Sequence, residues 1–197
     1  MKSISIFVII LLMASPMMAQ ENTPVLPYYQ IPDYPESYTA ETVVARLIDG
    51  LGFRYYWATE GLRQEDLEFK PSEEARTSFH TLEHIYSLSE VVYYPVAQEA
   101  IKRGIEKEPM NFEEMRKATL ENLKKASDIL RTGKVKLEDC KLLFERPDRS
   151  SEFPFWNNLN GPIADALWHT GQIVSFRRSS GNPFNSKASL FTGKLRE

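Results

Sequence analysis

Between Gly161 and Phe176 the chain reads GPIADALWHTGQIVSF, a run with no Lys, Arg or Glu and a single Asp. A helix that is uncharged all round predicts burial on most of its sides. An ionised carboxylate in such a place costs several kcal/mol unless it is paired or bound to a cation, so Asp165 requires a partner. Helical geometry supplies one. At about 100° per residue, Asp165, His169 and Gln172 fall within about 60° of one another, opposite Ile163, Leu167 and Val174. Asn160 is expected to cap this helix, with Pro162 in its first turn and Gly181 at its end.

The rest of the chain reads as helices of ordinary amphipathic design. Val44, Leu47, Ile48, Leu51, Tyr55, Ala58 and Leu62 recur at three and four, which predicts a helix over 40–61 with one apolar stripe. Gly50 and Gly52 weaken it by roughly 1 kcal/mol each relative to Ala, which points to close approach of another backbone. Thr77 or Ser78 can cap a second helix through FHTLEHIYSLSEVVYY, which Pro95 should kink or end. Asn111 with Glu114 resembles a capping box opening a third helix, closed by Gly133, whose outer side is Glu, Arg, Lys and Asn. Residues 134–159 show no strand alternation and read as a partly buried connection. The expected fold class is therefore all-α, a four-helix bundle over 39–197.

Helix two repeats the device of the fourth, with His80 and His84 again four apart, and these three histidines are all the chain has. Imidazoles and a carboxylate from facing helices are the donor set for zinc, nickel or ferrous iron. A single His/Asp pair at this spacing equally describes a hydrogen-bonded core histidine. Spacing alone leaves a metal site and a structural polar cluster both open.

The run NGPIADALWHTGQIVSFRRSSGNP resembles the last bundle helix of the DinB/YfiT-like family of metalloproteins, whose signature is a histidine, three residues, a second histidine, then Gly-Gln-Ile. RTSFHTLEHIYSLSE resembles the second helix of that family, which carries one metal histidine. The resemblance covers most of 39–183. It implies a four-helix bundle with a divalent metal at one end of the core, held by His84, Asp165 and His169, and a solvent-reachable pocket beside it. Many members carry histidine where Asp165 stands, so this chain would present two histidines and one carboxylate, a set that suits several metals. The family does not require His80, which is read as lying behind the ligands or in the pocket wall. Gln172 is expected to orient a ligand or substrate by hydrogen bonding. Relatives include metal-dependent transferases and isomerases that use low-molecular-weight thiols, so the resemblance implies a metal-dependent hydrolase or transferase acting on a small molecule. The alternatives are a metal- or ligand-binding protein without turnover and a bundle with a purely structural polar cluster.

Residues 1–19, MKSISIFVIILLMASPMMA, read as a signal peptide with Lys2 as its positive region and Ala19 at the cut, which predicts an exported, periplasmic or extracellular protein. The apolar run is about half the ~20 residues that span a bilayer, so stable membrane insertion is not expected. Residues 20–38 carry four prolines and four tyrosines and predict an extended arm laid on the body by its rings. Removal of the leader leaves 23 basic against 27 acidic residues, which argues against a nucleic-acid partner. A homodimer is compatible with this composition. Cys140, the lone cysteine, reads as a small buried residue rather than a nucleophile. Arg177 and Arg178 are expected to complement the carbonyl end of their own helix.

Overall fold

The computed structural model describes residues 25–197; the expected signal peptide over 1–19 and the first residues of the expected arm lie outside this range. Four long helices carry the core. They are α1 (Ala40–Thr59), α3 (Ser78–Val96), α4 (Phe112–Arg131) and α6 (Ala164–Ser179), with short helices α2 (Gln64–Glu68) and α5 (Trp156–Asn158) between them. Helix α4 packs on α1 and α3, and α6 closes the ring against the same two. Ile48, Leu51, Tyr55, Leu82, Ile85, Leu120, Leu123, Ile163 and Ile173 fill the space between them.

The expectation of an all-α four-helix bundle is overturned by two sheets. Strands β1 (Ile101–Lys102), β2 (Lys141–Glu145) and β3 (Ser150–Pro154) form a mixed sheet in that order, β1 parallel and β3 antiparallel to β2. Strands β4 (Ala188–Ser189) and β5 (Lys194–Leu195) pair near the C-terminus. The segment read as a connection is thus a hairpin, turning through Arg146-Pro147-Asp148-Arg149, where the Arg146 N–H donates to the Arg149 carbonyl at 2.9 Å. Every residue of β3 is exposed, and β2 buries only Leu142 fully. Neither strand has a buried face to impose alternation, so backbone pairing defines them without a hydrophobic signal.

Caps explain the helix starts. Thr39 and Thr42 exchange reciprocal side-chain bonds at the head of α1, and Asn111 and Glu114 do so at the head of α4. Thr77 accepts from the His80 N–H to open α3. The last helix begins differently. Its helical run starts at Trp156, not Asn160, and passes through a π-turn at Leu159–Ile163. Pro162 therefore sits inside the run, where it has no N–H to donate and its ring would meet the carbonyl four residues back; the wider turn relieves both problems.

Helix α1, not α6, is the element buried on both flanks. Twelve of its 20 residues are buried, against four of 16 in α6, where Ala164, Trp168, Gly171 and Ser175 face solvent. Residues 25–38 and the C-terminal tail cover the outer side of α1, over a second cluster of Ile31, Phe53, Trp57 and Ala188. Tyr28 is buried against α1 and donates its hydroxyl to Asp49 at 3.1 Å, and the Trp57 indole donates to the Tyr29 carbonyl at 3.1 Å. Burial, then the Asp49 carboxylate beside it, pushes the Tyr28 phenol far above its ordinary range. Arg131 from α4 completes an ion pair with the fully buried Asp49.

Gly52 is explained by the Tyr28 ring rather than by another backbone: a Cβ there would lie 2.4 Å from two ring carbons. Gly52→Ala should therefore cost about 1 to 3 kcal/mol in urea unfolding, because the ring must move. In a Tyr28→Ala background the same change should reverse sign, since the clash is gone and Ala gains about 1 kcal/mol of helix propensity. Equal destabilisation in both backgrounds would show that the ring does not set this position.

Candidate metal centre

The last turn of α6 is locked to the end of α1 through Arg177. Its buried guanidinium donates to the carbonyls of Trp57, Ala58 and Glu60 at 3.0–3.1 Å, and to the Asn182 carbonyl and side chain at 2.7 and 3.0 Å. The cation thus serves the carbonyl end of α1, not that of its own helix. Burial lowers its pKa, and Asp66 and Glu60 nearby oppose the shift. Asp66, fully buried at the head of α2, takes bonds from the Arg63 side chain and backbone, from Ser180 at 2.5 Å and from Asn182 at 2.6 Å. Burial alone would raise the Asp66 carboxyl, but these donors prevail and hold it well below the usual carboxylate range.

With α6 held at that end and packed along α3, its first turns face the middle of α3. There His84, Asp165 and His169 converge, with one donor atom from each within 4.8 Å of the others, the one such group among the described residues. Asp165 stands between the imidazoles: Oδ2 lies 3.1 Å from His84 Nε2 and Oδ1 lies 3.3 Å from His169 Nε2. The rings meet edge to face at 4.8 Å between centroids. Donors about 2.1 Å from a shared ion sit roughly 3 to 3.5 Å apart when adjacent, which the two carboxylate–imidazole separations match. The 4.8 Å spread of the three donors exceeds the roughly 4.2 Å that two such bonds span, so the side chains must close in to share an ion.

Gln172 defines the proton positions. Its side-chain oxygen can only accept, so the contact of 2.7 Å to His169 Nδ1 places a proton on that nitrogen. In the neutral ring Nε2 then carries a lone pair and lies 3.3 Å from Asp165 Oδ1, off the line of a hydrogen bond. A cation beside both acceptors would be attracted to each of them.

The carboxylate is not buried as the charge-poor sequence implied. The Asp165 side chain is 42% exposed, His84 34% and His169 17%, because α6 packs on α1 and α3 and leaves its remaining face open. His80 is not brought to the cluster. Its Nδ1 lies 3.1 Å from Thr77 Oγ1 and its Nε2 3.9 Å from Glu83, so the first turn of α3 holds it at the surface. A cavity of about 320 Å³ opens beside His169 and Gln172, walled also by Arg76, Thr81 and Phe176. The Arg76 side chain makes no hydrogen bond or ion pair among the described residues, and no periodicity marks it in the sequence. Cys140 is buried, and that burial pushes its thiol up to about 11, which removes it as a nucleophile.

Comparison of the chain with protein-family models, curated proteins and solved structures returns no match. The chemistry of the site therefore rests on its own geometry.

The clamp around Asp66 makes a pH prediction. Its folded pKa lies below its unfolded value of about 4, so its contribution to stability is complete above that value and is lost as pH falls through the lower folded pKa. Asp66→Asn should cost about 2 kcal/mol at neutral pH. Below about pH 4 the difference from the native chain should shrink, as read by urea midpoints across pH. A difference that stays constant into acid would mean that Asp66 acts by shape alone.

Proposed function

We propose that this protein is an exported metal-dependent enzyme acting on a small molecule, a hydrolase or transferase, with His84, Asp165 and His169 as its metal ligands. The observation that carries the reading is the carboxylate set between two imidazole nitrogens, one of them made an acceptor by Gln172. Two histidines and one carboxylate suit zinc, nickel or iron and leave coordination positions free. A divalent ion so held supplies Lewis acidity to a substrate oxygen or a water. The partial exposure of all three side chains gives a reactant access. The adjoining cavity gives it a seat, in which Arg76 can neutralise an anionic group and Thr81 can hydrogen-bond. The resemblance of 160–183 and 76–90 to DinB/YfiT-like proteins supports the same ligands. Export rests on residues 1–19 and favours hydrolysis, because the thiol cosubstrates of those relatives are chiefly cytosolic. No helix among the described residues is long and apolar enough to cross a membrane.

Protein purified without a histidine tag should carry a divalent metal by elemental analysis. After chelation, its melting temperature should rise on return of zinc, nickel or iron. Asp165→Asn should lower metal affinity ten-fold or more and leave the stability of the metal-free chain unchanged or higher. Gln172→Leu should weaken affinity about ten-fold through His169, and His80→Ala should leave it unaltered. Asp165→His should retain binding with altered metal preference. A native chain indifferent to metal, with Asp165→Asn destabilised by about 1 to 3 kcal/mol in every condition, would show the cluster to be a structural hydrogen-bonded group. N-terminal sequencing of fractionated native protein should read from near Gln20; intact Met1 in the cytosol would rule out export.

A further inference from the structure

The metal ligands use one side of α6 and leave its uncharged outer face unexplained. The exposed face of α4 is rich in Glu and Lys, whereas on α6 Ala164, Trp168, Gly171 and Ser175 face solvent with no charge among them until Arg178 at the end of the helix. Beside this face, between α1 and α6 and bordered by the C-terminal tail, runs a groove of about 350 Å³. Leu167, Val174, Phe184 and Leu190 give it an apolar floor and wall, and Arg54 and Arg178 stand at its sides. It continues past Leu167 and Leu190 into a second cavity that adds Arg46, Leu47 and Phe191.

No acidic side chain lines either part, in a chain whose acidic residues outnumber its basic ones. Among the described residues, the Arg178 side chain makes no hydrogen bond or ion pair, and the Arg54 side chain makes one hydrogen bond, from Nη1 to the Gly50 carbonyl at 2.9 Å. Two guanidinium groups with unused donors thus flank apolar surface. Leu190 is 46% and Phe191 97% exposed at the rim, apolar area that water would otherwise cover at a cost. A guanidinium fork matches a carboxylate in geometry and charge, and the volume lies at the lower end of ligand cavities, near 300 Å³.

We propose that the groove between α1 and α6 binds a small amphipathic organic anion, its charged head held by Arg54 and Arg178 and its hydrocarbon chain laid on Leu167, Val174, Phe184 and Leu190. The site is separate from the metal ligands and stands whether or not the cluster holds a metal. Gly171 gives it a direct test, because a Cβ added there meets nothing within 4 Å and a larger side chain would project beside the groove it lines.

The experiment is calorimetric titration of the purified chain with decanoate below its micelle-forming concentration, with acetate and decyltrimethylammonium in parallel and sedimentation equilibrium alongside. Decanoate should bind with one-to-one stoichiometry, acetate at least ten-fold more weakly for want of a chain, and the cation not at all. Arg54→Gln with Arg178→Gln should weaken decanoate about ten-fold or more. Gly171→Trp should abolish binding while its far-ultraviolet circular dichroism stays native; should that variant fail to fold, the arginine pair alone decides. His84→Ala should leave decanoate affinity unchanged. Absence of decanoate binding, equal binding of the cation, or affinity indifferent to the arginine pair would overturn the proposal. So would a dimer that Gly171→Trp dissociates, which would make this face an interface between copies.

Discussion

The position of α6 depends on the buried guanidinium of Arg177. A helix ends with carbonyls that have no partner within it, and the last turn of α1 is buried, where water cannot serve them. Arg177 reaches across from α6 and donates to three carbonyls there, so the charge of one helix satisfies the end of the other. The cation would be costly in this place without those dipoles and without Asp66 nearby. Removing either party strands the other. The contact therefore acts less as an increment of stability than as a fixed bolt between α1 and α6.

From that bolt the position of the cluster follows. Asp165 and His169 lie three and two turns up the same helix, and Gln172 lies between them and the anchor. Their relation to His84 is set by how α6 lies on α3, which the anchored end and the π-turn at Leu159–Ile163 control from opposite sides. The extra residue in a π-turn rotates everything after it by about 100° relative to an unbroken helix. That rotation decides which side chains of α6 meet α3 and which face solvent.

Periodicity made α1 readable from the sequence, and caps did so for α3 and α4, since Thr77 and Asn111 act locally and do not depend on the rest of the fold. Spacing also put Asp165, His169 and Gln172 on one face; only the resemblance singled out His84 as their partner, because nothing local records which helix will lie opposite. The hairpin was hidden because β3 buries no side chain and β2 has adjacent apolar residues in place of alternation. The exposure of α6 is hidden in the sequence for a related reason. Absence of charge marks a surface that avoids ions, which describes an open groove as well as a core, and hydropathy does not separate the two. The helix that is enclosed, α1, carries Arg46 and Arg54, charges that suggest exposure; residues 25–38 and the tail cover it, and no pattern within α1 announces them.

The covering of α1 also ties the chain into a ring. The Ile31 N–H donates to the Gly193 carbonyl at 2.9 Å, and the Ile31 side chain fills the space where Gly193 would carry a Cβ. Segments separated by almost the whole sequence are thereby fastened to each other over the same helix. Mechanically this is a clasp. Tension applied between the two segments would load that contact and the Lys194–Asp33 ion pair first, while Tyr28, Tyr29 and Pro32 keep their own bonds to Asp49, Trp57 and Arg46 on α1. Neither segment can peel away alone without uncovering the other, so fraying from either side is suppressed by the opposite one.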